Sequence, residues 1–131
     1  MSANLPQQWL DRAVEDLTVA RLVRREGHIA HVCFLSQQCI EKALKAYLIA
    51  KTNDYPRTHG LVTLLDLCIS LEPAFDQFYD DCATVDQYYI PTRYPDGIPG
   101  GLPGGLPGEA EAQETITAAE TVLQFVTTQL S

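Results

Sequence analysis

The chain has 131 residues, 46% of them hydrophobic, and a formal net charge of -8. That length supports one domain with one core, and the apolar content excludes a disordered tail. The acidic balance excludes a protein that grips duplex DNA through a basic face, and with no run of 18 apolar residues no membrane span is expected.

The charge is unevenly spread. Residues 1–60 hold eight of the nine Lys and Arg residues and six acids, whereas residues 61–131 hold Arg93 and eleven acids. A local basic cluster can therefore still meet a single nucleotide or a short RNA. Cys33, Cys39, Cys68 and Cys82 form no C-x-x-C pair and fall in apolar phases of helical patterns. They read as buried reduced thiols rather than a disulfide framework or a zinc site. The start, M-S-A-N-L-P-Q-Q-W, lacks a charged region followed by an apolar one, so the expected location is the cytoplasm.

In chain order, Pro6 opens a first helix at a place where its missing N–H costs little. Trp9, Ala13, Leu17 and Ala20 mark one face, and Gly27 is a C-terminal stop. Arg21, Arg24 and Arg25 crowd the last turn, where cations suit the helix dipole. Residues 30–51 contain no Gly or Pro, and their apolar positions wrap well beyond one stripe, which predicts a central helix touched on several sides. Its polar set, Gln37, Gln38, Glu41, Lys42 and Lys45, reads as a solvated strip, with Glu41 and Lys45 in the favourable i,i+4 order.

The turn-rich T-N-D-Y-P-R-T-H-G follows, and Thr58 is the candidate N-cap of a third helix over 61–71. The apolar density of L-V-T-L-L-D-L-C-I-S-L also suits a buried strand, but the chain offers it no partner. After Glu72-Pro73, the spacing of Phe75, Phe78, Tyr79, Cys82, Val85 and Tyr89 predicts a fourth helix, ended by Pro91. The G-[IL]-P-G repeat predicts a flexible loop at 95–108; it is no P-loop, because no G-K-[ST] follows. A last helix starts near Glu109, with Glu111 and Glu114 also at its electropositive end.

These elements predict a single all-α domain over 1–131, an antiparallel up-and-down bundle of four to five helices. If neighbours alternate direction, the loop with Arg57 and His59 and the loop with Arg93 and Tyr94 share a pole. The N-termini of helices one, three and five point there as well, which suits a phosphate. The candidate nucleotide-binding residues are therefore Arg57, His59, Tyr89, Arg93 and Tyr94, with Tyr89 or Tyr94 stacking a base. Lys42 and Lys45 are weaker candidates because they lie along a helix. The structural alternative is that Arg57 and Arg93 pair with Asp54, Asp86 or Asp96 and pin the loops. Neither a metal nor a cofactor is expected.

Four motifs resemble one family over essentially the whole chain. W-L-x-x-A-x-x-D-L at 9–17 is similar to the first helix of HEPN domains, and Q-Q-C-I-E-K-A-L-K-A at 37–46 to their second-helix signature. R-T-H-G-L at 57–61, followed by L-L, and Y-Y-I-P-T-R-Y-P-D at 88–96 resemble two loop motifs of the group. The resemblance implies a helical bundle that dimerises and binds nucleotide or RNA, and in many members a metal-independent endoribonuclease toxin paired with an MNT-type nucleotidyltransferase. The ribonuclease signature it implies is an Arg, four to six residues, then a His, late in the bundle. Here the histidines are His28, His31 and His59, so Arg93 has no downstream His. Arg25 and His31 match the spacing, but at the first interhelical turn.

The expected function is thus a nucleotide- or RNA-binding protein, non-catalytic itself, acting with a nucleotidyltransferase in a toxin–antitoxin-like pair, as a homodimer. The alternatives are a ribonuclease toxin using His59 and Arg93 from separate loops, and a structural dimerisation module built on the central helix and the aromatic run Phe75, Phe78, Tyr79, Tyr88 and Tyr89.

Overall fold

The computed structural model describes residues 4–88 and 107–131, and every regular element among them is helical. Helix α1 spans Leu5–Arg25, with the Asn4 side chain accepting from the Gln7 amide at its start. It ends in a Schellman motif: Gly27 N–H donates to Arg24 O and His28 N–H to Val23 O. This requires Gly27 to sit at φ +82°, a conformation that a Cβ makes costly.

Helix α2, Ile29–Thr52, is the axis of the molecule. Fourteen of its residues are buried, as expected of a helix apolar on most sides. It ends on Asn53 at φ +63°.

The chain then departs from simple helix-by-helix alternation. Residues 53–60 do not turn directly into the next helix; they run back along α2, bringing His59 beside Gln37 and Glu41. Glu41 lies eleven positions before Thr52, roughly 16 Å down the helix axis. Helix α3, Leu61–Leu71, starts there and climbs in the same sense as α2: Cys68 Sγ donates to Leu44 O, and Leu67 and Leu71 reach the level of Leu48 and Thr52. An extended segment thus makes the downward pass of the up-and-down path. Its N-cap is Gly60 rather than the expected Thr58, whose hydroxyl instead accepts from the Gly60 amide.

The expected fourth helix divides between Phe78 and Tyr79. A 3-10 turn, Pro73–Phe78, begins with Glu72 accepting from the Ala74 amide, and helix α4, Tyr79–Asp86, continues from it. The Phe75 ring packs edge-on against Tyr47 and Phe125 at 4.6 and 4.9 Å, and Phe78 against Phe125 at 5.1 Å. Helix α5, Glu109–Leu130, lies against α2 and α1. Arg24 pairs with Glu109, and Arg21 with Glu120 at 2.6 Å. Thr115 Oγ1 lies 3.9 Å from Cys33 Sγ. Helix α5 is therefore antiparallel to α1 and parallel to α2, and its N-terminus sits at the pole opposite that of α1. The expected gathering of three N-termini at one pole does not occur.

All four cysteines are fully buried and free. Burial pushes Cys33 up to about 11 and Cys39, Cys68 and Cys82 up to about 12.

Candidate functional site

The polar strip of α2 is not solvated. Gln37 is 0% exposed, and Glu41 and Lys45 4% each. The three recur every four residues on one face of α2, and the retracing 53–60 segment covers that face. Lys45 Nζ donates to Glu41 Oε2 at 2.8 Å. An ion pair this deep stands only if its remaining hydrogen-bonding capacity is met. Here the Gln37 and Gln38 side-chain amides donate to Glu41 Oε1 at 3.4 and 3.3 Å, and His59 Nδ1 lies 3.2 and 3.1 Å from the two Glu41 oxygens. The Gln37 amide donates to His59 O at 2.9 Å, and Gln38 donates to Gln37 Oε1 at 2.7 Å. The His59 ring is held at its backbone and at Nδ1, yet its side chain is 60% exposed.

Arg57 projects from the same segment. Its guanidinium lies over the Tyr55 ring, 4.5 Å from the centroid, and donates to the Tyr55 hydroxyl. Lys45 Nζ approaches that ring too, at 5.3 Å, and the Trp9 ring at 5.8 Å. Trp9 and Tyr55 meet edge to face at 5.0 Å. Arg57 therefore has an aromatic partner, and among the described residues no carboxylate is in ion-pair range of it. The alternative in which Asp54 or Asp86 pins Arg57 is not what the structure holds.

Asp86 has a different task. Its two oxygens accept from the Leu61 and Val62 amides at 2.8 and 3.0 Å. The N-terminus of α3, expected to receive a phosphate, is already filled by this carboxylate. Burial holds the Asp86 carboxyl above its usual range; the two amide bonds oppose that shift and the charge of Glu41 reinforces it.

Of the five residues expected at the site, Arg57 and His59 are brought to one flank of α2. Tyr89, Arg93 and Tyr94 lie outside the described residues, as does most of the 95–108 loop. Lys42 is engaged by Asp16 of α1. Arg25 and His31, with the alternative Arg–His spacing, are both exposed at the α1–α2 turn, where His31 faces His28 at 6.2 Å. Glu41, Gln37 and Lys45 are the members of the site that sequence reasoning placed in solvent. Their four-residue recurrence on a helix otherwise apolar all round was the available signal. Among the described residues, no cluster of three His, Cys, Asp or Glu side chains could hold a metal, and no helix is long and apolar enough to cross a membrane.

An all-helical bundle with an imidazole held by a carboxylate of its central helix is the class of architecture these observations define. The HEPN domain model matches residues 6–129, and the chain belongs to the HEPN family. It is similar to ST0689, an archaeal HEPN homologue of known crystal structure, with 32% identity, all of both chains covered and a TM-score of 0.76. TT1696 from Thermus thermophilus is 31% identical, with 95% of this chain and 97% of that one covered and a TM-score of 0.78. A relative from Methanocaldococcus jannaschii bearing the name "Putative toxin MJ1304" is 27% identical over 126 residues, which cover 90% of this chain and 83% of the relative.

Proposed function

We propose that this protein is a toxin-like HEPN protein that binds the phosphate of a nucleotide or a short RNA at the His59–Arg57 flank, and that it acts with an MNT-type nucleotidyltransferase as a homodimer. The observation that carries this reading is the Glu41–His59 pair. A buried carboxylate accepting from Nδ1 fixes the ring's orientation, the logic of an imidazole held for work at its outer edge. Arg57, raised on Tyr55 two residues away, adds a cation with planar donors suited to phosphate oxygens. The similarity to a relative named as a toxin supports the cellular role.

Calorimetric titration of the purified chain with ATP, GTP and a short single-stranded RNA tests the binding. The expected result is saturable binding that His59→Ala and Arg57→Ala each weaken at least fivefold, more so at low salt. No binding of any of the three at near-millimolar concentration would remove the basis of the reading. Co-expression with an MNT-type nucleotidyltransferase, followed by affinity capture, tests the pairing.

The same carboxylate–imidazole geometry favours a second reading, a metal-independent ribonuclease in which His59 moves a proton at the 2′-hydroxyl or the leaving oxygen. RNA cleavage by the wild-type chain in EDTA, abolished by His59→Ala, would select it.

A further inference from the structure

A cavity of about 310 Å³ lies where the C-terminal ends of α2 and α3 converge on the 53–60 segment. Leu48, Tyr55, Pro56, Leu67 and Leu71 give it apolar walls. Leu67 and Leu71, 42% and 45% exposed, are two of the largest apolar side chains that α3 leaves uncovered. The polar groups of the cavity, Thr52, Asp54 and Ser70, all present acceptors. The Thr52 hydroxyl has given its proton to Leu48 O and the Ser70 hydroxyl to Leu67 O, so each offers lone pairs. Asp54 accepts from the Tyr55 amide through one oxygen and keeps the other. Two helix C-termini add negative potential at the same mouth.

This cavity shares a wall with the phosphate site. The Tyr55 ring that lines it carries the Arg57 guanidinium. Leu48 is seven residues beyond Glu41 on α2, roughly 10 Å along the helix. An apolar groove, the acceptors of Thr52, Asp54 and Ser70, and a cation standing on the intervening ring together match a nucleotide: base inward, phosphates toward Arg57 and His59.

We propose that the cavity between α2, α3 and Tyr55 receives the base of the bound nucleotide and selects bases that carry an amino group. This rests on the phosphate-binding reading above. Guanine, adenine and cytosine each bring an exocyclic amino donor to these acceptors, whereas uracil brings only its ring N3–H, flanked by two carbonyl oxygens. Uracil is disfavoured because its two carbonyl oxygens meet the lone pairs of Thr52 and Ser70 and the Asp54 carboxylate.

The test is calorimetry of the full chain with GTP, ATP, CTP, UTP and inorganic tripolyphosphate, together with methyl NMR of Leu48, Leu67 and Leu71. The three amino-bearing nucleotides are expected to bind at least tenfold tighter than UTP and tripolyphosphate, and to shift the three leucine methyl signals. Leu71→Trp fills the slot from an exposed position. It is expected to bring every nucleotide to the affinity of tripolyphosphate, whose own binding stays unchanged. Equal affinities for GTP and UTP, or nucleotide binding that leaves the Leu67 and Leu71 methyl signals unmoved, would overturn the base site while sparing the phosphate site. Failure of both tripolyphosphate and every nucleotide to bind would instead overturn the phosphate-binding reading, and the base site with it. The methyl readout uses the unaltered chain, so it decides the matter even if Leu71→Trp does not fold.

Discussion

Glu41 grips the His59 imidazole through both carboxylate oxygens, at 3.2 and 3.1 Å from Nδ1, while spending one of them also on Lys45. One buried acid thus serves two partners of different kinds: a lysine sealed in the core and a histidine largely in water.

The sealed side of that arrangement makes a stability prediction. Glu41→Ala strands the Lys45 ammonium at 5% side-chain exposure, and removing one member of a buried pair costs about 3–5 kcal/mol. Glu41→Leu combined with Lys45→Met should cost far less than either single change, because no charge is left unpaired. Urea unfolding of the three variants checks this through the midpoint at unchanged slope.

The open side behaves differently. His59→Ala removes a ring that is 60% exposed, so its loss should change stability by about 1 kcal/mol or less. Any loss of ligand binding in this variant therefore reads on function, provided its thermal midpoint stays within a few degrees of wild type.

Asp86 gives a pH signature. Burial raises its folded-state carboxyl pKa above the ordinary value near 3.8. The native chain therefore holds this proton more tightly than the unfolded one. Its contribution is most favourable in acid and is lost as pH rises from about 4 through the raised native value. Asp86→Asn abolishes that titration, so wild-type stability relative to the variant should fall as pH rises across this window and then level off. A stability difference that grew with pH would contradict the assignment. Asp86→Ala, which leaves the Leu61 and Val62 amides without their acceptor, should cost about 1–2 kcal/mol in the manner of a lost helix cap.

The thiols provide a fourth check. All four cysteines are fully buried, and burial pushes them up to about 11 or 12. Reaction with a thiol reagent at pH 8 should follow unfolding, slow for the native chain and complete for four groups in denaturant. Because the raised values favour the protonated native thiol, stability should decline as pH climbs above 9, where the unfolded thiols ionise.

The helices were legible because their signals are local. Pro6 and Gly27 bracket α1, unbroken apolar recurrence builds α2, and the lack of any partner strand decided α3. What escaped sequence reasoning is non-local. Nothing in Y-P-R-T-H-G says that it runs back down α2, and only that path turns Gln37, Glu41 and Lys45 from a wet strip into a covered network. The capping of α3 by Asp86, 25 residues downstream of Leu61, was hidden for the same reason. Arg57 and His59 were singled out by type and neighbourhood; the acid that holds His59 was assigned to solvent.

The retracing segment is anchored at both ends: by Thr52 and Asn53 where it leaves α2, and by Gln37 bonding the His59 carbonyl where it arrives. It therefore works as a ruler. Deleting a single residue between Asp54 and Thr58 would shorten the span by roughly 3.3–3.6 Å, enough to pull the imidazole off its carboxylate and drag the first turn of α3 from Asp86. Evolutionary drift in this stretch should change its letters far more readily than its length.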